Sequence, residues 1–357
     1  MSDGAILLTG ATGFLGMELL ARLTRDCDRD VIMLIRARDD EAAGERLDAV
    51  LDTIMPPGVT PRGALRAVAA DIEAPDLGLS ARRRRSIASE VGTVVHCAAS
   101  VSFTLPIGEA RRINVDGTRA IVELAEQALR LDRLIHVSTA YVAGDRDGHC
   151  HEHEGDVGQR HRNTYEQTKL EAEQAVTDSG LPSAILRPSI VVGDSRTGWT
   201  PAFNVIYWPL QAFARGLFPV VPGDPDTPVD IVPADTVADA LMTLATGPRQ
   251  AGVFHVAAGA NAPRAGQLAA LAARAFDAPE PRFVPAGDAP EVEARAGAYL
   301  PYFRNRAVFD TTNGTALGFT PPPLDEYFDA IMGYARTARW GKRPRPRYDP
   351  SGEAIAA

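Results

Sequence analysis

The octapeptide Thr9-Gly10-Ala11-Thr12-Gly13-Phe14-Leu15-Gly16 constrains this chain more than any other stretch. It follows the apolar run Ala5 to Leu8 directly and opens an amphipathic pattern over Leu15 to Thr24. A strand that becomes a helix within so few residues needs glycine at fixed places. Gly10 permits the tight turn, Gly13 lets backbone approach a pyrophosphate, and Gly16 lets helix and strand pack closely. Thr12, Phe14 and Leu15 then stand where the helix dipole and free N–H groups meet the phosphates. The spacing differs from G-x-G-x-x-G, so the order strand, turn, helix carries the reading more than the glycines do.

The next 180 residues repeat that alternation. Val31 to Ile35, Leu65 to Ala69, Thr93 to His96, Leu134 to Val137 and Ser183 to Leu186 are short apolar or β-rich runs, and helical patterns such as Ile113 to Leu131 lie between them. This predicts an α/β fold, a Rossmann-type doubly wound parallel sheet, with residues 1–190 as the dinucleotide-binding domain carrying the catalytic residues. Residues 191–340 form a smaller C-terminal α/β substrate-binding subdomain interleaved with the sheet. Within it a capped helix is expected over Asp235 to Thr246, a strand over Val253 to Val256 and a helix over Ala265 to Phe276. The apolar but aperiodic stretch Trp199 to Pro222 reads as a substrate-side lid, and residues 341–357 as a loosely ordered tail.

Cofactor choice is written at the end of the second strand. An enzyme using NAD places Asp or Glu there, against the ribose 2′-hydroxyl; this chain has Arg36, whose guanidinium can pair with a 2′-phosphate and stack on adenine. NADP(H) is therefore the expected cofactor, with Arg38 and Arg46 as further ligands, unless Arg36 is only a surface residue at a strand end. Asp71 and Ile72 follow the third strand. Ala98, Ala99 and Ser100 follow the fourth, small enough to leave room for adenine and ribose, while His96 and Cys97 beside them are expected to pack or hydrogen-bond.

The chemistry is expected near Ser138-Thr139 at the end of the fifth strand and in the later segment Asn163-Thr164-Tyr165-Glu166-Gln167-Thr168-Lys169. Tyr165 and Lys169, four apart on a helix, share a face. An ammonium together with the oxidised nicotinamide favours tyrosinate, so Tyr165 would exchange a proton with a carbonyl or alcohol oxygen, Lys169 would also bind the nicotinamide ribose, and the strand-end hydroxyl would assist the oxyanion. Only two lysines occur, Lys169 and Lys342, among 37 basic residues. Y-x-x-x-K recurs in unrelated helices, and its distance from the glycine turn is what gives it weight. Asn114 opens the helix after the fourth strand; it either orients Lys169 through water or serves as a helix-terminal hydrogen-bonding residue.

Charge and cysteine content narrow the classes. A net charge of -9 disfavours nucleic acid, which needs a basic face. The runs Arg82 to Arg85 and Lys342 to Arg347 are local exceptions, read as solvated surface or as docking sites for an acidic carrier protein. Cys27, Cys97 and Cys150 give an odd count without paired spacing, so a reducing, cytoplasmic setting is expected. The start MSDGAILLTG shows no signal peptide, and no apolar run is long enough for an integral membrane segment. His149-Cys150-His151-Glu152-His153 alternates like a loop rather than with tetrahedral zinc spacing, so no metal is expected.

Taken together, TGATGFLG, LIRA at Leu34 to Ala37, DIEAPDLGLS, VVHCAASVSF, INVDGT, NTYEQTK and LRPSIVVGDSRTGW resemble the extended short-chain dehydrogenase/reductases, and within them the thioester-reductase and fatty acyl-CoA reductase branch. The resemblance spans roughly residues 4 to 320. It implies Thr139, Tyr165 and Lys169 as the catalytic set, with Ser138 as a possible substitute, and Pro188 and Ile190 beside the cofactor. It also implies hydride delivery from NADPH to an acyl thioester carbonyl, collapse of the hemithioacetal to an aldehyde, and in some relatives a second reduction. Many relatives are joined to carrier domains, so the substrate here would be an acyl thioester on CoA or on a separate acyl carrier protein, or an aldehyde or ketone. Trp199, Phe203, Tyr207, Trp208, Phe213 and Phe218 would suit an acyl chain, or equally a packed subdomain core. Two other readings share the scaffold: an alcohol, sterol or nucleotide-sugar dehydrogenase or epimerase, and a dinucleotide-sensing regulator without catalysis.

Overall fold

The computed structural model describes residues 4–355, so the outermost ends of the expected first domain and tail, 1–3 and 356–357, lie outside it. Strands β1 (Ala5–Thr9), β2 (Val31–Ile35), β3 (Leu65–Ala69), β4 (Val91–His96) and β5 (Arg133–Val137) are followed by the strands Ser183–Pro188 and Gly252–Val256. These seven form one sheet in the spatial order β3, β2, β1, β4, β5, Ser183–Pro188, Gly252–Val256. Every pairing in it is parallel.

Continuous apolar runs form these strands because both faces are covered. β1, β2, β4 and β5 are buried at every residue, whereas β3 at the edge is buried only in part. One face is packed by helix α1 (Phe14–Asp26), α2 (Asp40–Ile54) and the later helix Ala234–Thr246. The other is packed by α3 (Ala81–Glu90) and the helices Gly117–Glu126 and Thr164–Asp178. The strand order reverses between β1 and β4, and the crevice at their carboxyl ends is where this architecture places a ligand.

A second core gathers beyond the carboxyl end of the sheet. It is framed by three two-stranded parallel pairs: Ile190–Val192 with Ile231–Pro233, Val220–Pro222 with Arg282–Val284, and Gly148–Cys150 with Ala307–Phe309. The helices Tyr207–Ala214, Ala265–Phe276 and Leu324–Thr337 pack against them.

Four sequence expectations need correction. The helix expected over Ile113 to Leu131 is broken: a π-turn occupies Arg112–Asp116 and the α-helix runs from Gly117 to Glu126. The wider turn inserts a residue without a polar signature in the sequence, and it turns Asn114 fully inward. The helix at Asp235 starts one residue earlier, and its acid does not cap it; the carboxylate takes the N–H and hydroxyl of Ser195 at 2.8 and 2.6 Å. The aperiodic stretch Trp199 to Pro222 contains a helix, Tyr207–Ala214, and a strand, Val220–Pro222. The tail is tied down: Arg347 is buried, stacks on the Trp199 ring at 4.7 Å and donates its backbone N–H to the Thr53 carbonyl at 2.7 Å.

Candidate active site

The glycine turn is a cradle that side chains would fill. Gly10 has φ +74°, and a Cβ there would come within 2.7 Å of the Ala98 nitrogen across the switch point; a Cβ on Gly16 would meet the Gly10 carbonyl oxygen at 2.0 Å. Gly13 caps α1 without any side-chain hydrogen bond, so the first N–H groups of the helix are left to a ligand. Thr12, Phe14 and Leu15 lie at that helix start. These features fit a dinucleotide: uncapped N–H groups face a turn with no side chain in the way.

Arg36, one residue past β2, has 71% of its side chain exposed and holds Glu73 only loosely, at 3.4 Å. Arg46 donates to the Arg36 carbonyl oxygen, and Arg38 pairs with Asp39 at 3.0 Å. Asp71 accepts the Glu73 N–H at 3.0 Å, while Ile72 packs against Gly117. Ala98 donates its N–H to Thr9 Oγ1 at 3.1 Å; Ala99 and Ser100 follow on the same loop. Pro188 ends the Ser183 strand beside Val256, and Ile190 is buried against Ile231.

The helix Thr164–Asp178, which carries Tyr165 and Lys169, is placed by its first turn. Asn163 caps it by accepting the Glu166 N–H at 3.0 Å, and donates its amide to the Tyr302 hydroxyl at 2.9 Å. Glu166, fully buried, takes the Tyr302 hydroxyl at 2.8 Å and the Arg162 guanidinium at 3.0 Å. This network fixes the rotation of the helix, so Tyr165 and Lys169 both face the carboxyl edge of the sheet.

Tyr165 meets Thr139, whose hydroxyl accepts the Tyr141 N–H at 3.2 Å and hydrogen-bonds to the phenol. The neighbouring Ser138 hydroxyl is buried with no partner among the described residues, so Thr139 is the residue of the two that reaches the phenol. Burial pushes the Tyr165 phenol up to about 12, against the pull of Thr139 and with a smaller push from Glu166. Lys169 does not draw it down, because the amine is engaged elsewhere: Nζ donates to the Val137 carbonyl at 2.7 Å and lies 3.1 Å from His136 Nε2. Burial pulls Lys169 down to about 8. Asn114 is likewise committed, its amide nitrogen donating to the Ser100 carbonyl and Thr168 Oγ1 at 3.1 and 2.9 Å, and its oxygen accepting the Ser100 N–H at 2.8 Å. It ties the Ser100 loop to the helix Thr164–Asp178 rather than reaching Lys169 directly.

Sequence reading missed an aromatic row that leads away from Tyr165. Phe103 lies 5.9 Å from the Tyr165 ring and 5.7 Å from Tyr299, Tyr299 is 6.0 Å from Trp208, and Trp208 is 5.6 Å from Phe218. The row enters a cleft open to solvent, with a cavity volume of about 100 Å³, lined by residues such as Leu210, Phe213, Leu268 and Phe303. Phe103 stands in a loop and Tyr299 in the short 3-10 helix Gly297–Phe303, far apart in sequence, with no periodicity to mark them. The expected aromatic segment divides. Trp208, Phe213 and Phe218 line the cleft, whereas Trp199 and Tyr207 are fully buried and Phe203 packs on Tyr207 and Tyr334. His149, His151 and His153 stack in a row, and among the described residues no group of three or more His, Cys, Asp or Glu converges to hold a metal.

A seven-stranded parallel sheet wound on both faces, with a glycine cradle at the switch point, defines an extended short-chain dehydrogenase/reductase. Residues 8–241 match the model of the NAD-binding family described as "Male sterility protein", and the chain belongs to that family. It is 30% identical over 300 residues to fatty acyl-CoA reductase 1 of Mus musculus, covering 72% of this chain and 58% of that one. It is 31% identical over 282 residues to the fatty acyl-CoA reductase wat of Drosophila melanogaster, covering 68% and 54%. The chain thus spans little more than half the length of these relatives. Among solved structures, the terminal R domain from the myxalamid PKS-NRPS biosynthetic pathway superposes with a TM-score of 0.80 at 28% identity, over 96% of this chain and 93% of that one. A thiolation-reductase di-domain from an archaeal non-ribosomal peptide synthetase shares the fold, with a TM-score of 0.74 at 18% identity over 95% and 76%. No helix among the described residues is long and apolar enough to cross a membrane.

Proposed function

We propose that this protein is an NADPH-dependent reductase of acyl thioesters, carried by CoA or by an acyl carrier protein, and of the derived aldehydes, acting in the cytoplasm. The observation that carries the reading is the continuous row of rings from Tyr165 through Phe103 and Tyr299 into an apolar cleft. A nucleotide sugar would find no polar partners along such walls, whereas each methylene of an acyl chain buried there contributes ~0.8 kcal/mol. The family, the fatty acyl-CoA reductase relatives and the reductase-domain neighbours support the same substrate class. NADPH is favoured over NADH by the exposed, weakly partnered Arg36 at the place where a 2′-phosphate would sit.

When bound, the reduced nicotinamide supplies the hydride. The Tyr165 hydroxyl, which burial keeps protonated, donates a hydrogen bond and then a proton to the carbonyl oxygen of the substrate. Thr139 beside it offers a second hydrogen bond to the charge that develops on that oxygen. Lys169 has a third N–H beyond the two that Val137 and His136 accept, available to a cofactor hydroxyl. The cleft holds the acyl chain against its apolar walls.

The direct test incubates the protein with NADPH or NADH against acyl-CoAs, acyl carrier protein thioesters, aldehydes and ketones, following loss of reduced-nicotinamide absorbance and release of free thiol. NADPH consumption with thiol release from long-chain thioesters is the expected result. Turnover of aldehydes or ketones with no thioester consumed would overturn the thioester assignment.

A further inference from the structure

Beneath the catalytic helix, two imidazoles lie side by side on the central strands. His96 of β4 and His136 of β5 pair in register with ring centroids 5.4 Å apart, and both are fully buried. His96 is satisfied at both nitrogens, by Thr9 Oγ1 at 2.7 Å and Thr118 Oγ1 at 3.0 Å. His136 is not. Its Nε2 faces Lys169 Nζ, and its Nδ1 is buried with no hydrogen-bond partner among the described residues.

That orphaned nitrogen is a cost that a leucine in the same space would not carry. An ammonium only donates, so its neighbour Nε2 must present a lone pair, and the proton of the neutral ring then sits on the unpartnered Nδ1. The arrangement persists because the charge-assisted bond to Lys169 outweighs the lost one. A carboxylate, Glu173, also favours the charged amine, but through space and not by a hydrogen bond. On the helix itself Glu173 is the nearest acid, and Arg187 already holds both its oxygens at 2.8 and 2.5 Å. The Cys97 thiol after β4 is kept protonated by burial, as is the Tyr165 phenol.

We propose that His136 is a positioning residue for Lys169: with the Val137 carbonyl it takes two of the three ammonium N–H bonds, keeps the buried amine charged, and leaves one N–H for a bound ligand. This deepens the reductase reading and rests on it only for the catalytic consequence.

Because Lys169 and Lys342 are the only lysines, and Lys342 is exposed, lysine labelled with carbon-13 at Cε gives two signals whose titration assigns Lys169 without substrate or cofactor. In His136→Leu the Lys169 midpoint should fall by about one pH unit or more, the effect of losing one charge-assisted hydrogen bond. In His136→Gln, whose amide oxygen can accept, it should return close to the wild-type value. An unchanged or raised midpoint in His136→Leu, or a glutamine variant as low as the leucine one, overturns the proposal. If the leucine variant does not fold, imidazole nitrogen-15 shifts of the wild-type protein below the Lys169 midpoint decide it: a proton on Nδ1 supports the assignment and a proton on Nε2 refutes it. Absence of thioester turnover would defeat the reductase reading and leave this titration untouched.

Discussion

Arg347 and Glu18, separated by 329 residues, form a buried ion pair at 2.5 Å beneath the outer face of α1. Glu18 is fully buried and also holds Arg22 at 2.9 Å, while Arg347 reaches Asp194 at 3.4 Å and stacks on Trp199. The C-terminal segment is thereby bolted to the first helix and to the loop that follows the strand Ile190–Val192. Removing one partner strands the others in a dry site. Arg347→Ala should cost ~3 kcal/mol of unfolding free energy, read as a lower denaturation midpoint in urea. A loss below ~1 kcal/mol would show that Arg22 alone satisfies Glu18.

Tyr165→Phe should lower turnover by roughly 10²- to 10⁴-fold, since it removes the proton donor and leaves the fold of the helix unchanged. Its affinity for NADPH, measured by fluorescence titration, should stay within about threefold of wild type. Retained turnover would remove the phenol from the reaction.

Arg36→Ala tests the cofactor assignment. A charge-assisted contact with a 2′-phosphate predicts a loss of NADPH affinity of about tenfold or more, with NADH affinity nearly unchanged. Equal losses for the two cofactors would contradict it.

The apolar cleft makes a prediction about chain length. Ala269 lines it, and Ala269→Trp fills space that an acyl chain would occupy. The ratio kcat/KM should fall about tenfold or more for long acyl thioesters and hold for short ones, because each displaced methylene forfeits ~0.8 kcal/mol. Parallel losses at every chain length would place the chain elsewhere.

Acid sensitivity follows from the buried imidazoles. Burial pulls His96 and His255 down to about 3, and holds His136 well below the ordinary histidine range, with Lys169 adding to the effect on His96 and His136. Below pH ~6.5 the unfolded chain binds protons at these rings and the folded chain does not, so stability falls as pH falls from there toward about 3. Each ring contributes a slope of ~1.4 kcal/mol per pH unit over that window. Urea midpoints from pH 7 to 5 should therefore drop steeply, and His255→Gln should flatten the slope by about one ring's share. A flat profile would mean the rings protonate without unfolding.

Local physics made much of this legible in sequence. The strand β2 and the helix Ala265–Phe276 have the ends that apolar periodicity gives them, because each buries a face its own pattern defines. The glycine turn is similarly local: φ at Gly10 and the close approach at Gly16 are demands on residues a few positions apart. The i, i+4 relation of Tyr165 and Lys169 is a property of one helix.

What no window of sequence contains is who meets whom across the sheet. His136 resembles any interior strand residue until Lys169 is laid over it, and Phe103 any loop aromatic until Tyr165 and Tyr299 flank it. How far burial raises the Tyr165 phenol depends on how much water the assembled site admits, a quantity of the whole packing. Sequence alone determined the wound sheet, its dinucleotide turn and the phenol–amine pair, because short-range sterics and periodicity suffice for those. Tertiary structure decided the burial and hydrogen-bond partners of that pair, the apolar route away from it and the anchoring of the tail, because desolvation and long-range contact exist only once distant segments share one interior.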